Sequence, residues 1–395
     1  MQSVTIGANQ AGQRLDKFLH KYLPLAGSGF LYKMLRKKNI TLNGKKAEGK
    51  EILSVGDEVC TFFSDETFAK FSGRAPERVD AGESARKPSL VREYETAYER
   101  LQGITVLYED EDFLILNKPA GILTQKAAPR DLSLNEWMGG YLLAENLSLA
   151  DELSTFRPAV CNRLDRNTSG IVLGGKSLAG LQFLSSCIKE RTVRKYYRTI
   201  CVGALRKAAA IGGYLVKDTR NNQVSVSDVG KDRNNAGKTA HIHTAYSPIT
   251  VTEDFTLLEV ELITGKSHQI RAHLASIGHP LAGDAKYGLE SVNRELKRRY
   301  GLTHQLLHAC RVTFPEVASG VGSSLSGRTV TAPCPNLFMR LERELFGKTE
   351  EKSTQWKKLS MEEKHSMEED RGEYGHMEFP GPAGTGAGRD DQQNQ

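Results

Sequence analysis

At 395 residues the chain exceeds one small domain and reads as two or three units, and 39% hydrophobic residues suffice to bury a core. It has no run of about 18 apolar residues, which argues against a membrane span, and Met1–Leu19 lacks the basic and apolar regions of a secretory signal. The net charge of +6 hides a split, because residues 349–395 carry 6 Lys+Arg against 11 Asp+Glu and the other 348 carry 48 against 37. A basic body of this kind points to a polyanionic partner, RNA or DNA. The six cysteines are scattered with no C-x-x-C, which fits reduced thiols in a cytoplasmic protein better than a disulfide framework or a zinc site.

Residues 1–62 form the first expected unit. In "QRLDKFLHKYL" the positions Leu15, Phe18, Leu19, Tyr22 and Leu23 recur at helical spacing, and Pro24 with Gly27–Gly29 breaks the pattern. A second helix follows, with Leu31, Met34 and Leu35 inward and Lys33, Arg36, Lys37 and Lys38 outward. Asn43-Gly44 in "ITLNGKKA" is a hairpin signal. Residues 1–60 carry 10 Lys+Arg against 5 Asp+Glu. Residues 63–102 are polar with little periodicity and read as a linker, helical near "VREYETAYERL". A larger unit, 103–347, opens with "ITVLYEDEDFLILNKPAG", where two apolar strands flank the acidic turn 109–112. The charged, then Gly-rich segment 348–395 has too few apolar residues to offset ordering entropy and is expected to be disordered.

Four segments of the larger unit carry chemistry-capable side chains. In "CNRLDRNTSG" the carboxylate of Asp165 sits between Arg163 and Arg166. "RKYYRTICVG" supplies Lys195, Tyr196 and Tyr197. "TGKSHQIRAHLASIGHPLAGDAKYG" holds His268, Arg271, His273, Asp284 and Tyr287, and "HQLLHACRVTFP" holds His304 and His308. Locally, Asp165 suits a turn cap as well as a catalytic acid. The phosphate-loop and dinucleotide fingerprints are absent. His304 and His308 are spaced as on a metalloprotease helix, but Gln305 stands where that motif needs Glu. His241 and His243 share a strand face without a nearby third ligand, and no G-x-S-x-G turn presents a serine. An aspartate with basic and aromatic helpers remains, without metal or cofactor.

These segments, in this order, resemble the RluA-type family of pseudouridine synthases. "NRLDRNTSGIVL" is similar to the family's catalytic motif, "RKYYRTICVG" to its tyrosine motif and "TGKSHQIRAHLASIGHPLAGDAKYG" to its arginine motif. "YEDEDFLILNKPAGILT" resembles its opening hairpin and "LHACRVTFP" its closing strand, so the likeness spans about residues 104–316. The first unit resembles the S4 RNA-binding domain. The likeness implies an α+β fold: a small S4-like RNA-binding domain, then a catalytic domain on a mixed, mainly antiparallel sheet with flanking helices.

It also implies an isomerase that turns uridine in RNA into pseudouridine with no cofactor or metal. Asp165 would be the catalytic carboxylate, acting at C1′ or at the base. Tyr197 would stack on the uracil and is a candidate to take the C5 proton. Arg271 would pair with Asp165 and favour its ionised form. Arg163 would fill the gap left by the flipped uridine, with Arg166 near phosphate. Lys33, Arg36, Lys37 and Lys38 would face phosphates. Lys118 either contacts phosphate or ends its strand. Asn162 stands where many members have His, and Lys266 and Ser267 where Arg and Thr are commoner. Large-subunit ribosomal RNA is the expected substrate, with transfer RNA second, and the chain is expected to act as a cytoplasmic monomer. Two other classes are a non-catalytic RNA-binding or assembly factor, which loss of Asp165, Tyr197 or Arg271 would have favoured, and a glycoside hydrolase. The latter usually needs a second carboxylate, for which only Asp284 is a candidate.

Overall fold

A computed structural model describes residues 1–7, 9–72, 89–145, 153, 156–218, 223–227 and 240–347. The first unit folds as its periodicity predicts. Helix α1 (Leu15–Tyr22) buries Leu15, Phe18, Leu19 and Tyr22, and α2 (Ser28–Arg36) buries Leu31 and Leu35. They pack on an antiparallel sheet of β1 (Gln2–Thr5), β2 (Ile40–Leu42), β3 (Lys45–Lys46) and β4 (Glu58–Thr61), in the order β1-β4-β2-β3. Asn43 and Gly44 join β2 to β3 with φ of 50° and 69°, the two left-handed residues that a tight hairpin requires.

The stretch read as a linker contains two helices. In α3 (Asp65–Ser72), Phe68 lies edge-on to Tyr22 at 5.5 Å between ring centroids, and Phe71 meets Phe30 at 4.2 Å, so α3 packs on the first unit. In α4 (Ser89–Arg100), Tyr94 lies against α5 (Leu134–Glu145) so closely that a Cβ on Gly140 would strike the Tyr94 main chain. The helix expected near "VREYETAYERL" is α4, which also buries Val91 and Ala97, whereas α3 packs through Phe68 and Phe71 alone among charges and gave little local periodicity. The segment 348–395 lies outside the described residues.

The second sheet is mixed and mainly antiparallel, as expected. It contains β5 (Thr105–Glu109), β6 (Phe113–Lys118), β7 (Ala159–Val160), β8 (Ser169–Gly175), β9 (Arg194–Val202), β10 (Ala209–Asp218), β11 (Gln223–Ser227), β12 (Ala240–Val251), β13 (Phe255–Leu262), β14 (Leu307–Thr313) and β15 (Thr329–Thr331). Its main path runs β11-β10-β12-β13-β9-β14-β8-β6-β5, with β15 on β14 and β7 on β8. Helices α6 (Leu178–Glu190), α7 (Gln269–Ser276), α8 (Glu290–Tyr300) and α9 (Asn336–Phe346) flank it. Both faces of the central strands are covered, which is why β6 reads as a continuous apolar run. Leu114 and Leu116 join the core with Met138 of α5 and Leu274 of α7, while Phe113 and Ile115 join Leu184 of α6 on the other side.

One junction breaks the antiparallel rule. Strands β8 and β14 run parallel, with Ser169 opposite His308 and Gly170 opposite Ala309. Gly170 has φ of 110°, and a Cβ there would overlap the Ala309 carbonyl and lie 2.6 Å from its nitrogen. The strand that follows Asp165 enters the sheet at this point.

Candidate active site

The main chain around Asp165 is held from both sides. Upstream, the Thr124 hydroxyl accepts from Leu164 N–H at 3.1 Å and donates to the Leu164 carbonyl at 2.8 Å. Asn162 Oδ1 accepts from Leu173 N–H at 2.7 Å, and its Nδ2 donates to the Ile171 carbonyl at 3.3 Å. Asn162 thereby bolts the motif to β8. Downstream, Thr168 N–H donates to the Asp165 carbonyl at 3.0 Å, and buried Gln305 donates to the Thr168 hydroxyl at 3.2 Å. Ser169 Oγ lies 2.9 Å from His308 Nδ1, whose Nε2 is 3.2 Å from the Ala332 carbonyl.

Lys118 is the third support. Its side chain is fully buried, and Nζ donates to the carbonyls of Pro119 at 3.0 Å, Ile122 at 2.8 Å and Arg166 at 3.0 Å. Burial pulls its ammonium down to about 7, against the charge of Asp165. Three acceptors need three N–H donors and a neutral amine has two, so this acceptor set favours the ammonium. With all three donors engaged inside the protein, Lys118 ends its strand and does not face phosphate.

Helix α7 brings up the positive charge. Arg271 donates from one terminal nitrogen to Asp165 Oδ2 at 2.9 Å, and from Nε and the other terminal nitrogen to Asp284 at 2.7 and 2.8 Å. Burial works against the guanidinium charge, but the hydrogen bonds and charge of Asp284, with Asp165 behind them, outweigh it and raise Arg271 above its ordinary value. The helix is pinned by buried Gln269. That side chain accepts from the Thr264 hydroxyl at 2.9 Å and Lys266 N–H at 3.1 Å, and donates to the His243 carbonyl at 3.0 Å and Thr244 Oγ1 at 2.9 Å. His268 precedes the helix in the left-handed conformation, φ 57°, which suits few residues with a side chain. Its Nε2 is 3.9 Å from Asp165 Oδ2, and its Nδ1 is 3.0 Å from the Tyr287 hydroxyl.

Tyr197 sits on β9 opposite Val260 of β13 and Ala309 of β14, which places it beside the β8–β14 junction. It is buried, and burial, reinforced by the charge of Asp165, pushes its hydroxyl well above the ordinary phenol value. Arg163 and Arg166 are exposed, and only the Arg166 carbonyl, which takes Lys118 Nζ and Gly121 N–H, is tied into the site. Lys33, Arg36, Lys37 and Lys38 are exposed on α2 and just beyond it. Thus Asp165, Arg271, His268, Asp284 and Tyr287 converge, with Tyr197 next to them. Among the described residues no group of three or more His, Cys, Asp or Glu could hold a metal ion. The sequence reading missed Thr124 and the supporting roles of Lys118 and Asn162, since each acts on main chain that is remote in sequence or otherwise featureless.

His273, one turn beyond Gln269, is buried with Nδ1 on the Thr244 hydroxyl at 2.8 Å and Nε2 unpartnered. Burial, with His243 and His241 adding charge nearby, pulls it from 6.5 to about 4. Between these values the unfolded chain binds more protons than the folded one. Stability is therefore fully present above pH 6.5 and falls as the pH drops toward 4, by up to about 3 kcal/mol. His273→Gln should flatten that slope in urea titrations run across this range.

Comparison with known proteins identifies the family. The family model described as RNA pseudouridylate synthase matches residues 112–276, which include Asp165, Tyr197 and Arg271. An uncharacterized RNA pseudouridine synthase of Mycoplasma pneumoniae is 30% identical over 312 residues, covering 77% of this chain and 85% of its own. Ribosomal large subunit pseudouridine synthase C of Vibrio vulnificus is 29% identical over 325 residues, 81% of this chain and 90% of its own. Ribosomal large subunit pseudouridine synthase D of Neisseria meningitidis serogroup B is 28% identical over 340 residues, 84% and 79% respectively. The solved structure of human RNA pseudouridylate synthase domain containing 4 shares the fold, with a TM-score of 0.50 at 20% identity, over 64% of this chain and 97% of that one. The chain belongs to the RNA pseudouridine synthases.

Proposed function

We propose that this enzyme isomerises uridines of large-subunit ribosomal RNA to pseudouridine, with Asp165 as the catalytic carboxylate. The observation that carries the assignment is the contact between Asp165 Oδ2 and a guanidinium that is itself anchored elsewhere, with buried Tyr197 close enough to feel the Asp165 charge. The reaction breaks the N1–C1′ bond and forms C5–C1′, while C5 gives up a proton and N1 ends with one. Atoms balance within the nucleotide, so the protein has only to hold, charge-stabilise and turn the base. Asp165 is positioned to act at C1′ or at the base. Tyr197 offers its ring face to the uracil. Burial and the Asp165 charge keep its hydroxyl protonated, and it is also the candidate to take the C5 proton.

A stacked uridine cannot reach Asp165; in this reading Arg163, exposed and two residues away, fills the vacated stack and exposed Arg166 meets phosphate. We read residues 1–62, extended by α3 to Ser72, as an S4-like RNA-binding domain and the unit from 103 as the catalytic one. The ribosomal substrate is favoured by the names of the similar Vibrio and Neisseria proteins. Action as a cytoplasmic monomer is part of the same proposal; no helix among the described residues is long and apolar enough to cross a membrane.

Carbodiimide mapping of ribosomal RNA treated with the purified protein tests the chemistry. Replacing Lys33, Arg36, Lys37 and Lys38 together by Gln tests the RNA-binding domain. The salt dependence of RNA affinity should become shallower by about 3 in log–log slope, with the rate on bound RNA unchanged. An unaltered slope would remove the S4-like surface from the account.

A further inference from the structure

We propose that Asp284 is a positioning residue that aims Arg271, so that the working unit is a chain of two carboxylates around one guanidinium. This rests on the function proposed above. Arg271 spends two of its three hydrogen-bonding nitrogens on Asp284 and one on Asp165. A two-point contact fixes the plane of a guanidinium, whereas a one-point contact leaves it free to rotate. Asp284 is fully buried, while the Asp165 side chain keeps 25% of its exposure, so the anchor is the interior carboxylate and the served one faces the opening.

The anchor is itself immobile. Asn293 of α8 accepts from Gly283 N–H and donates to the Asp284 carbonyl, both at 2.8 Å. Asp284 Oδ1 also accepts from Lys286 N–H at 2.9 Å and Tyr287 N–H at 3.2 Å. The loop ahead of it is zipped to β9, with Val202 N–H on the Pro280 carbonyl and Ala282 N–H on the Ile200 carbonyl, both at 2.9 Å. The strand that carries Tyr197 therefore also sets the position of Arg271. Arg271 and His268 both address Oδ2 of Asp165. Released from Asp284, the guanidinium would be free to grip Asp165 through two nitrogens and cover the oxygen that the nucleoside needs.

Asp284→Asn changes one atom. Oδ1 keeps the Lys286 and Tyr287 contacts, while an NH2 group faces the Arg271 Nε–H, donor against donor. The single-turnover rate on ribosomal RNA should fall about 100-fold, with RNA affinity close to wild type and a lowered melting temperature, because the opposed donors are buried. Arg271→Gln should lower the rate at least as far, and adding Asp284→Asn to it should cost nothing more. A wild-type rate in Asp284→Asn, or two losses that multiply in the double variant, overturns the proposal. If Asp284→Asn fails to fold, Asn293→Ala loosens the anchor without touching Arg271, and an unchanged rate there is equally contrary. An arm independent of turnover follows the Arg271 Nε–H signal in the 15N-labelled full chain. It should be protected from exchange in wild type and in Asp165→Asn, and lose protection in Asp284→Asn or Asn293→Ala. Loss in Asp165→Asn alone sinks the proposal, whether or not the wild type modifies RNA. Absence of turnover in the wild type instead counts against the proposed function.

Discussion

Asp165→Asn is expected to lower pseudouridine formation by at least about 1,000-fold while RNA affinity stays within about twofold. The substitution keeps the shape of the side chain and removes its charge. Little else should move, because the Arg271 guanidinium remains held at two points by Asp284. The turn is likewise fixed by main-chain contacts to Thr124, Asn162 and Lys118 that do not involve the carboxylate. The residue is partly exposed, so removing its charge leaves no buried ion newly unpaired apart from one Arg271 N–H at the opening. Nucleoside chromatography of digested RNA measures the product, and filter binding measures affinity. A variant that binds and does not react places Asp165 in the chemistry. A variant that reacts normally removes Asp165 from the chemistry.

Gly170→Ala is expected to destabilise the fold by about 3–5 kcal/mol. Two penalties combine. At φ of 110° an L-residue is strained wherever it stands, and here the new Cβ also meets the Ala309 main chain across the parallel β8–β14 pair. Backbone cannot step aside as a flexible side chain can. Relief would require β8 to lift from β14, giving up the buried Ser169–His308 contact that orients the end of the Asp165 turn. Gly121→Ala is the internal control, because it has φ of 94° with nothing within 4 Å of its Cβ, and should cost only about 1 kcal/mol. Urea midpoints of the two variants separate the shared strain from the overlap. Equal losses would mean that the β8–β14 junction tolerates separation.

Much of this arrangement was legible because it is written in local order. The helical spacing of Leu15, Phe18, Leu19 and Tyr22, the Asn43-Gly44 turn and the strands around residues 109–112 each follow from neighbours in the chain. The site residues Asp165, Tyr197 and Arg271 stood out through the order of their motifs, and the fold brings the first and last to 2.9 Å across 106 positions. What was not legible depends on partners far away in sequence. A lysine beside a proline gives no sign that its ammonium will hold Arg166, 48 residues on. Asp284 was visible only as a candidate second acid. Its role as the two-point anchor of Arg271 arises because the loop from Pro280 is pinned to β9 and to Asn293. The helix around Phe68 was masked by its charge, since what holds it is an aromatic face met by another element, whereas the helix around Tyr94 was expected from "VREYETAYERL".

The most direct test of the central claim is carbodiimide mapping of deproteinised large-subunit ribosomal RNA incubated with the purified protein, with transfer RNA in parallel. Discrete carbodiimide-dependent stops at a few uridines of the ribosomal RNA, absent when Asp165→Asn replaces the wild type, are the predicted result. Stops confined to transfer RNA would contradict the assigned substrate. The same stops from both proteins, or none from the wild type, would contradict the assignment of Asp165 and the proposed activity respectively.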